Sequence, residues 1–208
     1  MVSQIPTFVE EETLLAQGYK LIAGVDEVGR GPLAGPVVAA AIILPREERP
    51  SWLSRVRDSK QLKPSQRESI FDRVLESGIP FGVGSVSHEV IDEKGIAHAT
   101  RLAMRRAIEH LSTRPDYLLI DFMRLPSIRI PQKSVVDGDS LCLSIAAASI
   151  VAKVIRDRLM VKLDSQFPGY GLAQHKGYGT REHLEALQRL GPCPIHRKTF
   201  EPVRDRLF

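Results

Sequence analysis

Residues 26–36 read DEVGRGPLAGP. Two adjacent carboxylates, Asp26 and Glu27, precede an arginine, Arg30, set between Gly29 and Gly31. Apolar runs, Leu21–Val25 and Val37–Leu44, flank this turn, and hydrophobic burial asks for none of its chemistry. Acidic side chains are almost never fully buried unless something pairs with them. The pair therefore calls for a cation, and the glycines leave a backbone that a ligand can approach closely. Successive side chains on a strand point to opposite faces. Asp26 and Glu27 thus grip one ion symmetrically only if the strand ends or bulges there. A turn started by Asp26 with a solvated Glu27 is the plain alternative, and the glycine-bracketed arginine weighs against it.

Other stretches carry residues of the same kind. Asp121 closes the aliphatic run DYLLID, and α/β proteins place ligands at the C-terminal ends of strands. Asp139 lies in Gly138-Asp139-Ser140 ahead of a long apolar run, where Asp139 or Ser140 also suits a helix cap. Lys60, in DSKQL, reads as a solvated turn or as a phosphate contact that positions a polyanion as a point charge. In residues 167–180, FPGYGLAQHKGYGT, Tyr170 and Tyr178 stand among glycines near His175 and Lys176. An exposed ring beside a lysine stacks on a base or sugar, whereas a buried one packs the core. Arg101, Arg105 and Arg106 read as a solvated helix face, with a secondary phosphate contact as the alternative. His196, Arg197 and Lys198 read equally as phosphate contacts or as a solvated tail.

These groups need a frame. Branched, short apolar segments predict strands at the two runs named above, at Phe81–Ser87, at Asp116–Asp121 and at Lys133–Val136. Helices are predicted from about Phe8 to Gln17, opened by a Thr7–Glu10 capping box and closed by Gly18, and from Pro64 to about Glu76, with a Ser65–Glu68 box. Further helices are predicted over His88–Leu111, weakened at Gly95, over Leu141–Leu163 with Cys142 as a small core residue, and over Arg181–Leu190. Residues 46–57 read as a loop.

With 208 residues, 43% of them hydrophobic, the chain suits one domain with a real core and excludes disorder. A net charge of +4 permits a polyanionic partner without requiring one. Cys142 and Cys193 form no CxxC, which argues against a zinc site or a disulfide framework and fits a reducing compartment. The first residues lack the order of a signal peptide, and the longest apolar run, Leu33–Leu44, is too short to span a bilayer. A cytoplasmic monomer is the expectation. The glycine turn is one residue too long for GxGxxG and leads into a strand, and no GK[ST] loop exists, so a nucleotide cofactor is disfavoured.

The stretch GVDEVGRGPLAGPVVAAAIIL, residues 24–44, closely resembles the opening signature of ribonuclease HII, the bacterial type 2 ribonucleases H. The DSK-leucine stretch, the strand ending in Asp121, the GDS before SIAAASI and the HKGY follow in family order, and the resemblance runs from about Lys20 to Arg204. It implies an α/β, ribonuclease H-like fold: a central mixed five-stranded sheet flanked by helices, with a small helical C-terminal segment. Residues 1–208 would form one catalytic domain, with core elements to about 163 and a substrate-contacting segment over about 164–208. The implied activity is endonucleolytic hydrolysis of the RNA strand of RNA–DNA hybrids and cutting 5′ of ribonucleotides embedded in duplex DNA, leaving 3′-hydroxyl and 5′-phosphate ends. Asp26, Glu27, Asp121 and Asp139 would bind two Mg²⁺ or Mn²⁺ ions. Gathered carboxylates repel unless cations or protons intervene, and two ions about 4 Å apart hold both the attacking water and the leaving oxygen. Gly29, Arg30 and Gly31 would contact the 2′-hydroxyl, Lys60 and Lys176 would join the substrate contacts, and Tyr178 would stack on the sugar at the junction. The family usually has glycine where this chain has Phe122. A non-catalytic nucleic-acid-binding module also explains Arg30, Lys60 and Tyr178, but not four acids that would repel phosphate.

Overall fold

The computed structural model describes residues 5–45 and 49–205, so the predicted 46–57 loop falls partly outside it. Five strands, β1 (Ile22–Val28), β2 (Val37–Ile43), β3 (Phe81–Val86), β4 (Tyr117–Asp121) and β5 (Gln132–Val135), form one sheet in the order β3-β2-β1-β4-β5. β1 is antiparallel to β2 and β2 to β3, while β1–β4 and β4–β5 are parallel. This is the expected mixed sheet. β2 is buried at every position because helices cover both of its faces, which explains its unbroken VVAAAII run.

The helices are α1 (Val9–Ala16), α2 (Pro64–Ser77), α3 (His88–Lys94), α4 (Ile96–Glu109), α5 (Gly138–Leu141), α6 (Leu143–Gln166), α7 (Leu172–His175), α8 (Arg181–Leu190) and α9 (Glu201–Arg204). α3 and α4 pack on one face of the sheet, α2 and α6 on the other. Gly95 separates α3 from α4 at φ +79°, as its place in the sequence predicts. On the α6 face the contact is backbone to backbone: a Cβ on Gly24 would stand 2.2 Å from the carbonyl carbon of Ser144. On the α4 face Gly84 plays the same part, 2.0 Å from the Ala103 carbonyl oxygen.

Several local expectations are corrected. No side chain caps α1: its N-cap is Phe8, and Thr7, one residue earlier, bridges by its backbone to the start of α6 (Thr7 N–H to Leu141 O, 2.9 Å; Leu143 N–H to Thr7 O, 3.0 Å). At α2 the N-cap is Lys63, whose N–H donates to Gln66 Oε1 at 2.8 Å, two residues before the predicted box. The long helix begins at Leu143, since Cys142 is extended (φ −106°, ψ 126°) and splits off the single turn α5. Cys142 is buried as expected, but as a cap and not within a helix. Neither Asp139 nor Ser140 caps a helix: Asp137 stands at the N-cap of α5, and Glu11 Oε1 accepts from Ser144 N (2.9 Å) and Oγ (2.6 Å) at the start of α6. His196 and Arg197, read as possible solvated tail, are fully buried beneath the turn after β1.

Candidate active site

Pairing of β1 with β4 stops at Val25–Ile120, while its pairing with β2 continues to Val28–Val38. The strand neither ends nor bulges at Asp26; instead its β4 side is left open there. Asp26, Glu27 and Asp121 each bring a carboxylate oxygen within 4.8 Å of the other two. Asp139 lines the same cavity, of about 520 Å³, together with Gly29, Arg30, Gly31, Lys60 and Tyr178.

Each acid is held by a different device. Asp26, 5% exposed, accepts from the backbone N–H of Glu27 at 2.7 Å. Burial, then the charges of Glu27 and Asp121, drive its pKa well above the carboxylate range. Burial raises Glu27 too, against the pull of Arg30, whose Nη1 lies 3.4 Å from Oε1. Glu27 Oε2 is buried with no hydrogen-bond partner. Asp121 accepts from the N–H of Gly138 at 2.8 Å, an approach that a side chain at 138 would crowd, and burial raises its pKa. Asp139 Oδ2 meets Lys60 Nζ at 3.2 Å. Burial pulls the Lys60 ammonium down, yet the Asp139 charge and hydrogen bond leave it raised.

An orphaned buried oxygen, three converging carboxylates and pKa values pushed toward protonation are what a hard divalent cation relieves, and oxygen-only ligands suit Mg²⁺ or Mn²⁺. The donor set fits such an ion.

Two glycines of the turn serve different ends. Gly29 has φ +92°, and a Cβ there would lie 2.2 Å from Arg156 Nε. A Cβ on Gly31 would meet only the Tyr178 ring, at 3.9 Å, so this residue faces open space in the cavity. Tyr178 is 41% exposed; Tyr170 is buried, with its hydroxyl on the Gly191 carbonyl at 2.7 Å. The structure thus separates two tyrosines that residue type and neighbours left equivalent, with the exposed one being the Tyr178 to which the resemblance pointed. Lys176 lies away from this cavity, in a neighbouring cleft with Arg67, Asp157 and Arg158, and its Nζ folds onto the Ala173 carbonyl.

Sequence reasoning missed the arginines that shape the turn. Arg156, on α6, donates to the carbonyls of Pro36 (3.0 Å), Lys176 (3.0 Å) and Ala34 (3.2 Å). Arg197 donates to those of Gly29 (2.5 Å), Arg30 (2.8 Å) and Gly35 (3.1 and 2.9 Å). Both are fully buried. Burial, and then Arg156, push Arg197 down to about 9. Ser59 was missed as well: it is bonded to Ser149 (2.7 Å) and its carbonyl accepts from Arg67 (2.9 Å), which anchors the Lys60 loop. The residues of HRKTF and of the α6 run carried no spacing signal for this role.

The family model described as Ribonuclease HII matches residues 23–203. A ribonuclease HII of Dehalococcoides mccartyi is 56% identical over 199 residues, 96% of this chain and 94% of that protein. Among solved structures, the ribonuclease H2 of Pyrococcus horikoshii OT3 superposes with a TM-score of 0.75 at 27% identity, covering 89% of this chain and 96% of that one. Bst-RNase HIII, solved in complex with Mn²⁺, shares the fold at 20% identity (TM-score 0.67; 90% of this chain, 69% of that one). With its acids gathered on a ribonuclease H-like sheet and the match running through nearly all its length, this chain belongs to the ribonuclease HII family of hydrolytic nucleases.

Proposed function

We propose that this protein hydrolyses the RNA strand of RNA–DNA hybrids and cuts 5′ of single ribonucleotides embedded in duplex DNA, leaving 3′-hydroxyl and 5′-phosphate ends. Ribonucleotide excision and primer removal are the roles this activity serves, in the cytoplasm and as a monomer. The observation that carries the reading is the convergence of Asp26, Glu27 and Asp121 within 4.8 Å in a chain of this family. These three, with Asp139 beside them, would hold two Mg²⁺ or Mn²⁺ ions. When bound, such ions supply a lowered water pKa and charge neutralisation for in-line phosphoryl displacement.

The chain's own groups do the reading. Arg197 and Arg156 occupy the carbonyls of Gly29, Arg30, Ala34, Gly35 and Pro36. The backbone N–H groups of the Gly29-Arg30-Gly31 turn then face the 2′-hydroxyl, the mark of RNA, while the Gly29 and Arg30 carbonyls are held by Arg197. Gly31 leaves room for the ribose. Tyr178 presents an exposed ring beside it for the adjacent sugar. Lys60, whose side chain is 81% exposed, is free to turn from Asp139 to a phosphate. None of these contacts distinguishes one base from another.

The test is a labelled duplex with one ribonucleotide, beside a continuous hybrid, incubated with Mg²⁺ or with chelator. Cation-dependent cutting on the 5′ side of the ribonucleotide is the expected result. Binding without cleavage under every condition would overturn it.

A further inference from the structure

Phe122 follows Asp121 directly, and nothing about it suits an ordinary surface residue. Its φ is +53°, in the left-handed region where a bulky side chain is an outlier. The N–H of Met123 bonds to the carbonyl of Asp121 at 2.5 Å, closing a tight three-residue turn around Phe122. The Phe122 N–H is itself fixed on the Val135 carbonyl of β5 at 2.9 Å. The ring gains little from burial, for the residue is 62% exposed. Backbone strain and solvent exposure together make phenylalanine a costly occupant where glycine would fit. Strain of this kind persists mainly where function needs it.

The position says what the function is. Val136, 64% exposed, follows directly on Val135, the residue bonded to Phe122. Arg124, two residues on, is exposed. An apolar ring and an aliphatic neighbour with a guanidinium close by in the chain fit a nucleic acid, whose sugars and bases offer apolar faces between charged phosphates. The other exposed ring among the described residues, Tyr178, lies against the turn after β1. Phe122 directly follows Asp121 at the C-terminal end of β4, bonded to the neighbouring β5, which lies on the side of β4 away from β1. The two exposed rings thus attach to different elements of the site, Tyr178 to the turn after β1 and Phe122 to the end of β4.

We propose that Phe122, with Val136 next to its bonded partner Val135, is a second stacking platform, contacting a sugar or base face of the bound duplex on the β5 side of the scissile phosphate. This rests on the nuclease reading above. It adds a contact that the Gly29–Gly31 turn and Tyr178 do not supply, and it sets how tightly the flanking duplex is held.

The experiment compares wild type with Phe122→Asn, which accepts the left-handed backbone, with Phe122→Gly and with Phe122→Tyr. Readouts are hybrid affinity by fluorescence anisotropy in chelator, KM and kcat in Mg²⁺, and the thermal midpoint. Asn and Gly weaken binding and raise KM by about five- to a hundredfold, with kcat nearly kept and the thermal midpoint unchanged or higher. Tyr restores binding. Wild-type cleavage with unaltered affinity and KM in Asn and Gly overturns the platform alone. A lowered thermal midpoint in both, with KM unchanged, assigns the ring to packing and also overturns it. A wild type that cleaves no hybrid overturns the nuclease reading and this inference with it.

Discussion

Arg197 reaches across 168 positions of sequence to donate from Nη2 to the carbonyl of Gly29 at 2.5 Å. The bond ties the C-terminal segment to the turn that follows the two leading acids. Its guanidinium also holds Arg30 and Gly35. Replacement by lysine keeps a charge but loses the fork, leaving buried carbonyls without donors at about 1–3 kcal/mol each. Arg197→Lys is expected to lower stability by about 3 kcal/mol in urea melts. It should also reduce cleavage at an embedded ribonucleotide more than affinity for duplex DNA. Wild-type discrimination in a destabilised variant would show that the turn keeps its shape unaided.

Asp121→Asn removes one charge from the cluster while keeping an oxygen for the Gly138 N–H. The fold and hybrid binding are expected to survive, with cleavage down by several orders of magnitude. Gel cleavage assays beside anisotropy titrations check both halves. Near-normal turnover would remove Asp121 from the ion-binding set.

Cations and protons compete for the same acids. Asp26, Glu27 and Asp121 are all raised above their ordinary values in the cation-free fold. The folded protein then holds more protons than the unfolded chain above pH 4, so their contribution to stability declines as pH rises through the folded values. A divalent ion takes the protons' place. Mn²⁺ at a hundred times its dissociation constant adds about 2.7 kcal/mol, and the rise in melting temperature over a chelator control is expected to be larger at pH 8 than at pH 5. An equal rise at both would separate cation binding from these groups.

The histidines carry the opposite trend. Cys193 N–H donates to His196 Nδ1 at 2.9 Å, so the His196 proton sits on Nε2, 3.0 Å from His183 Nε2. His183 in turn donates from Nδ1 to the Tyr178 carbonyl at 2.9 Å. Burial, then His183, push His196 down to about 4, and burial lowers His183. A depressed value means stability that is complete above the ordinary 6.5 and lost as pH falls toward 4. At His196 this amounts to about 3 kcal/mol. His196→Asn should start less stable at pH 7 and lose less on acidification, measured as the difference from wild type in chelator. Parallel curves would show that His196 does not titrate on unfolding.

Tyr178→Ala leaves the core intact, because the ring is half out in solvent with Gly31 beside it. The variant should express and melt like wild type, yet lose about ten- to a hundredfold in kcat/KM on a single embedded ribonucleotide, with a smaller loss on continuous hybrid. Failure to fold would assign the ring to the core.

The strands and the acids were legible because each left a local mark: short branched runs, glycine punctuation, carboxylates where apolar runs stop; the mixed sheet came from the family resemblance, since periodicity gives no strand order. The arginine brace was not. Arg156 lies in a helical run and Arg197 in a polar tail, and their partners are backbone carbonyls, which leave no trace in side-chain pattern. Tyr170 and Tyr178 share neighbours in sequence and differ only in what packs on them. The two predicted capping boxes were displaced differently: Thr7 is engaged in a backbone bridge to the start of α6, whereas at α2 a local cap formed two residues earlier, at Lys63. Cys142 adopted an extended backbone within a run whose composition reads as uninterrupted helix.

The meeting of Gly24 with Ser144 has a wider bearing. At Gly24 no side chain separates the first strand from the long helix, so nothing at that point can rotate, swell or be traded for a larger group. Asp26, two residues along β1, and Asp139, on the short helix α5 just before α6, are thus spaced in part by a main-chain contact. Drift at surrounding core positions can retune melting behaviour while the ion seat keeps its dimensions, whereas one added methyl at position 24 would prise the two halves of that seat apart.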